Sequence, residues 1–208
     1  MATTTTNYGW DIPQSTDLVK DGATAIATLG HDIDTSIYTA LGGNKSGMVH
    51  LSTVAFSGVA SQAVNTVFST TYKNYRVQIN ITLSTGNPAL LSLRLRNATT
   101  DKSANYVNNQ YGATGGVGFN SASITTGFGL QDMVQNATEF GATMDILNPF
   151  ETQNTICLTQ MFMRAQNNAF YGSNIGGIQA ENYSADGLNL VASTGNITGR
   201  IAVYGYNV

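Results

Sequence analysis

Charge is scarce in this chain. Lys and Arg number 9 and Asp and Glu 12, so charged residues are 10% of the 208, against about 25% in an ordinary soluble domain. The net charge is −3 and no basic cluster is present. A nucleic-acid partner, which needs grouped cations to meet phosphates, is therefore not expected. The one concentrated positive pair, Arg94 and Arg96, is next-but-one on a predicted strand and reads as solvent-facing. Cysteine is limited to Cys157, which excludes a disulfide within the chain. In the apolar run Ile156-Cys157-Leu158 it reads as a small buried hydrophobe. No apolar run reaches the length of a membrane-crossing helix, so no membrane insertion is expected. The start, MATTTTNYGWDIP, has no basic segment followed by an apolar one, so no secretory signal is expected. The Asn-x-Ser/Thr triplets, such as Asn80-Ile81-Thr82 and Asn97-Ala98-Thr99, are then read as products of an Asn/Thr-rich sequence.

Catalytic groupings are also missing. His31 and His50 are the only histidines. Neither stands at hydrolase spacing from a serine and an aspartate, and nothing resembles G-x-S-x-G. Asp32 and Asp34 point to different sides of a helix and make no metal cluster. Gly115-Gly116-Val117-Gly118 has no strand-to-helix setting and no following lysine, so it is not a phosphate loop. Acids in the later chain are sparse: Asp101, Asp132, Glu139, Asp145, Glu151, Glu181 and Asp186. They leave a glycosidase-like carboxylate pair open but do not point to one. The expectation is a non-enzymatic protein with no cofactor and no metal.

What is present is strand and turn material. Hydrophobic residues are 42%, glycines number 22, and the polar residues are mostly Thr, Ser, Asn and Gln. Tyr75, Val77, Ile79, Ile81 and Leu83 alternate with polar residues, as do Leu91, Leu93 and Leu95. Each is a strand with one dry and one wet face. Ser84-Thr85-Gly86-Asn87-Pro88 between them is turn chemistry and predicts a hairpin. Further strands are predicted at Val54 to Ala60, Ala63 to Ser69, Ala142 to Leu147, Thr155 to Arg164, Gln179 to Tyr183, Leu188 to Ala192 and Ile197 to Tyr206. Gly172 to Gly177 reads as a loop. In the last strand Ile201, Val203 and Gly205 share one face, and Ala202, Tyr204 and Tyr206 the other. Short strands at this spacing predict an antiparallel β-sandwich, jelly-roll-like.

The stretch Ser15 to Leu41 has a different period. Val19, Gly22, Ile26, Leu29, Ile33 and Ile37, then Ala40 or Leu41, recur at steps of three and four. Ser15 and Thr16 can cap the start, Asp17 suits the positive helix end, and Gly42-Gly43 closes it. A helix roughly 40 Å long follows from about 1.5 Å per residue. Its apolar stripe is narrower than a core-facing one and, rich in Ile, predicts a parallel homotrimeric coiled coil. The alternative is a helix folded onto its own domain.

Two stretches offer contact residues. Tyr8, Trp10 and Ile12 alternate ahead of the helix and suit an extended anchor peptide; the alternative has Trp10 folding back as a staple. Residues 101 to 141 are the least regular. Tyr106, Asn108, Gln110 and Tyr111 there are candidate receptor contacts, since Tyr with Asn and Gln suits adaptable surfaces and sugars. An ordinary strand pair with a long loop is the other reading.

The stretch YGWDIPQSTDLVKDGATAIATLGHDIDT resembles the amino-terminal segment of virion proteins of tailed bacteriophages, tail or collar fibres of cyanophage and actinophage type especially. FSTTYKNYRVQINI, LSLRLRN, ANYVNNQYG and the closing GRIAVYGY resemble the β tip of the same proteins. The resemblance implies a homotrimer that attaches by its amino end to a tail, neck or baseplate ring and turns its β domain outward. It places the chain in the virion, assembled in the host cytoplasm, and defines no receptor residues. The expected organisation is an anchor at 1–14, a helical stalk at 15–43 and a β-sandwich tip at 44–208. A host-surface glycan is a candidate partner. The alternatives are a capsid decoration or cement protein and a carbohydrate-binding module.

Overall fold

The structure, a computed structural model, describes residues 3–14, 18–40, 47–85, 89–114, 117–133, 139–164 and 168–207. The chain forms two compact units, Met1–Gly47 and Met48–Tyr206.

In the first unit β1 (Thr3–Thr4) and β2 (Asp11–Ile12) make a small antiparallel hairpin. Its turn is closed by the Thr5 N–H donating to the Trp10 carbonyl at 2.9 Å and the Gly9 N–H to the Thr5 carbonyl at 3.0 Å. Gly9 supplies the positive φ of +69° that the turn needs. The helix α1 (Gly22–Ala40) follows one 3-10 turn, Val19–Asp21. At about 1.5 Å per residue these 19 residues span roughly 28 Å, and residues 15–17 and 41 of the predicted helix lie outside the described residues. The capping residues Ser15, Thr16 and Asp17 and the stop Gly42-Gly43 lie outside the described residues. The Trp10 indole N–H donates to Ser36 Oγ at 2.8 Å. The extended anchor therefore gives way to a hairpin folded back on its own helix, because the indole finds a hydroxyl there. No residue of α1 is buried.

The second unit is all strand. Its elements are β3 (Gly47–Val59), β4 (Ser61–Val64), β5 (Asn74–Ser84), β6 (Ala89–Asn97), β7 (Thr100–Asp101), β8 (Tyr106–Thr114) and β9 (Val117–Thr125). Then come β10 (Phe128–Met133), β11 (Glu139–Leu147), β12 (Gln153–Arg164), β13 (Phe170–Tyr183), β14 (Gly187–Ala192) and β15 (Ile197–Asn207). A large sheet runs β3-β15-β5-β11-β12-β13-β8-β9, and a small one β10-β6-β14-β4 with β7 on β6. Their inward residues share one hydrophobic core. The large sheet gives it Val77, Ile79, Met144 and Ile201, and the small sheet Leu93, Leu95, Leu188 and Leu190. The alternating pattern of β11 and β12 shows the period-two logic directly. Cys157 is buried in this core, and burial pushes its thiol up to about 12.

Three expectations are corrected. β5 and β6 are not a hairpin: β5 lies between β15 and β11 in the large sheet, and β6 between β14 and β10 in the small one. Gly172 to Gly177 is no loop but the middle of β13, paired on both sides. Arg96 is not solvent-facing. It is 8% exposed, with Nε 3.3 Å from Asp101 Oδ1 and Nη2 donating to the Thr99 carbonyl at 2.7 Å.

Gly199 lies where the β15–β5 register shifts. A Cβ there would sit 2.1 Å from the Asn80 carbonyl oxygen, whereas a Cβ at Gly141 meets nothing within 4 Å. Gly199→Ala should destabilise by roughly 2 kcal/mol or more, as overpacking against fixed backbone does. Gly141→Ala should be near neutral. Urea unfolding midpoints check this; equal midpoints for the two variants would refute the packing account.

Candidate functional site

Inward parity on the large sheet fixes what its outer face carries. The register aligns one row straight across the strands: Ala202 opposite Gln78, Gln78 opposite Thr143, Thr143 opposite Gln160, Gln160 opposite Asn174, and Asn174 opposite Tyr111. One neighbouring row holds Tyr204, Arg76, Asp145 and Leu158; the other holds Arg200, Asn80, Gly141 and Phe162. Gln78, Asn80, Gln160, Asn174, Arg200 and Tyr111 are all exposed.

Two depressions lie on this face. One, about 570 Å³, runs from Arg200 and Tyr204 across Gln78, Asn80 and Thr143 to Gln160. The other, about 620 Å³, runs from Arg76 and Asp145 to Asn174 and Gly176. Thr143 and Gln160 line both, so the two form one trough. Above Gly141 and Gly176 the space is open, which makes them its floor. Both volumes fall in the range of ordinary ligand sites, about 300–1,000 Å³.

The trough carries little net charge. Arg76 Nε and Nη2 each donate to Asp145 at 2.8 Å, a bidentate pair. The Tyr206 hydroxyl donates to the same carboxylate at 2.5 Å, and the Arg76 guanidinium stands 5.5 Å over the Tyr206 ring. Arg76 holds the Asp145 carboxyl below the usual carboxylate range against a smaller opposing effect of burial, and the Tyr206 hydroxyl adds a lesser pull in the same direction as Arg76. Burial and the carboxylate push Tyr206 up to about 12. Arg200 has no ion-pair partner among the described residues.

The structure divides the candidate contacts. Tyr111 is 68% exposed and stands in the outer row. Tyr106 and Asn108 have the opposite parity and face the core at 0% and 4% exposure, so they cannot meet a ligand on this face. The Tyr106 hydroxyl accepts the Leu95 N–H at 3.0 Å. Asn108 donates to Thr125 Oγ1 and accepts from the Gly129 N–H. Gln110, on their side of the strand, is half-buried. In the first unit Tyr8 stacks on Trp10 at 5.1 Å and remains 66% exposed, while Ile12 is half-buried. Along the seam Val19, Ile26 and Ile37 are 97%, 67% and 51% exposed; Gly22, Leu29 and Ile33 are half-buried. The trough residues went unmarked in the sequence because each is one polar member of an alternating strand. Only the register of distant strands brings them together.

Among the described residues no group of three or more His, Cys, Asp and Glu could hold a metal ion, and no helix is long and apolar enough to cross a membrane. Compared with protein-family models, curated proteins and solved structures, the chain matches none.

The Arg76–Asp145 pair makes stability depend on pH in a definite direction. Asp145 titrates lower in the folded state than in the unfolded one, so its contribution is present above the unfolded value and lost as pH falls through the folded one. Asp145→Asn should lower stability by about 1–3 kcal/mol at neutral pH. The gap to the native chain should close as the acid is titrated. Denaturation midpoints across the acid range check this; a gap unchanged below the carboxylate range would refute it.

Proposed function

We propose that the chain is a non-enzymatic structural protein of a bacteriophage particle, a homotrimeric tail or collar fibre. In this reading α1 forms a parallel coiled-coil stalk, and the larger unit is a jelly-roll-like sandwich presented to the host surface. The supporting observation is the seam of α1. Its apolar residues keep the spacing of a coiled coil, yet Ile26 and Ile37 on the helix, and Val19 on the 3-10 turn ahead of it, lie in the open within one chain. Burying such side chains between subunits is worth about 1.5–3 kcal/mol each. Ile on alternate seam positions with Leu29 between favours three strands over two.

The hairpin supplies the anchor. Trp10 is held to the helix through Ser36 rather than extended, and Tyr8, stacked on it and 66% exposed, is available with Ile12 to dock on a tail, neck or baseplate ring. The same exposed seam would also serve a capsid decoration protein, which differs in copy number: hundreds per particle rather than tens.

The full chain should sediment at three times its 22.0 kDa mass. Ile26→Asp should yield monomers that keep their β structure by circular dichroism. A native chain that runs as a monomer at micromolar concentration would overturn the reading. Removing residues 1–14 should leave the trimer intact and abolish incorporation into particles, scored by immunolabelling in electron micrographs; retained incorporation removes the anchor role.

A further inference from the structure

The outer trough of the large sheet is built for an extended ligand. The lining comes from five strands side by side, β15 to β13, so at about 4.8 Å per strand the row from Ala202 to Asn174 spans roughly 19 Å. That length suits a chain of linked rings rather than one small molecule. The uncharged polar lining is amide and hydroxyl, Gln78, Asn80, Thr143, Gln160 and Asn174, and Leu158 and Phe162 add exposed apolar surface. Each amide offers a donor and an acceptor side by side, the complement of neighbouring hydroxyls on a sugar ring. Rings flank the trough. Tyr204 is held edge-on by His50 at 5.4 Å, and Phe162 is 58% exposed and stacked with Phe170 at 5.9 Å. Flat apolar rings beside amides suit the CH faces of a sugar together with its hydroxyls. With Arg76 neutralised by Asp145, Arg200 brings a positive charge to one end of the trough that no carboxylate of the described residues offsets.

We infer that this trough binds an acidic polysaccharide chain, with Gln78, Asn80, Gln160 and Asn174 hydrogen-bonding its hydroxyls, Tyr204 and Phe162 packing on its rings, and Arg200 meeting a sugar carboxylate. The inference rests on the fibre reading for the source of that chain, a host surface; the trough itself is a property of the β unit alone. Host attachment would then act through a broad, shallow face, with modest affinity per subunit raised by the three copies of a trimer.

The test applies the full-length protein to an array of uronate-bearing and neutral bacterial oligosaccharides, in parallel with sedimentation of the same samples. Uronate-bearing chains should bind and neutral ones bind more weakly. Arg200→Gln should weaken the acidic chains by about tenfold or more, the effect of one charge-assisted contact, and leave neutral ones unchanged. Gln160→Ala should weaken both. Gly141→Leu, which fills the open floor without removing a polar group, should block binding while keeping the native unfolding midpoint. No binding to any member, or binding of the acidic chains by Arg200→Gln or Gly141→Leu equal to that of the native chain, overturns the inference. A change of oligomeric state in Gly141→Leu overturns it too, since the face would then be a contact between copies of the chain. A trimer that binds no sugar leaves the fibre reading standing, and a monomer that binds uronates leaves the trough standing without the stalk.

Discussion

The larger unit depends on one apolar layer held between two sheets. β5 sends in Tyr75, Val77, Ile79 and Ile81, and β6 sends in Leu91, Leu93 and Leu95, all at 2% exposure or less. A sheet with one dry face is stable only when that face meets another, so each sheet is the condition of the other. Two phenol hydroxyls drawn into this layer are satisfied in place. The Tyr75 hydroxyl donates to the Ser69 carbonyl at 2.9 Å and accepts its N–H at 2.7 Å. Tyr106, on the large sheet, accepts the Leu95 N–H from the small one and donates to the Lys102 carbonyl at 3.1 Å. It is a tether between sheets as well as a core ring, packed edge-on against Phe128 at 4.9 Å. Burial raises both phenols above their ordinary range.

Fixing the inner face fixes the outer one. Because side chains alternate with a period of two, every residue that enters the core sends its neighbours outward. The row from Gln78 to Tyr111 is the complement of the row that packs. Its polarity is what an uncovered face requires: amides and hydroxyls in line, with Asp145 of the neighbouring row spent on Arg76. Glycine deepens it. Gly141 and Gly176 withhold side chains where the floor is open, while Gly177, on the inner side, leaves room for the core. A Cβ there would lie 2.7 Å from Asn108 Oδ1 and 2.8 Å from Phe128 Cδ1.

Local pattern was readable in the sequence; long-range pairing was not. The alternation in β5, β6, β11, β12 and β15 is a property of each segment, so those strands and the inward set Ile201 and Val203 follow from sequence alone. The partner of each strand is not local. Turn chemistry between β5 and β6 signals a reversal, but a chain can reverse by crossing to the opposite sheet, and here it does. The glycines of β13 read as a loop because glycine usually breaks strands; at Gly177 it is instead required by what packs above it. The same limit divided the candidate contacts. Tyr106, Asn108 and Gln110 are next-but-one and share a side, and Tyr111 lies on the other, so a group chosen by composition was split by the pleat. Gln160 and Gln78, from segments far apart in the chain, became neighbours across β11 only through register.

The helix poses the opposite problem, a clear local pattern with no partner inside its own unit. Gly22, Thr24, Thr28, Asp32, Asp34 and Thr35 are weak helix formers, and a helix of 19 residues gains little from propensity with such a composition. Thr28 even spends its hydroxyl on the Thr24 carbonyl, at 3.0 Å. The hairpin supports one side through Trp10 and Ser36, yet leaves Val19, Ile26 and Ile37 uncovered. Helix formation and association are then, in the proposed reading, a single equilibrium: burial of the seam supplies the free energy that propensity lacks, and the helix in turn supplies the spacing that makes the seam. Such a stalk depends on protomer concentration, whereas the β unit, with its own core, does not. The β unit can therefore fold without any association of the helix.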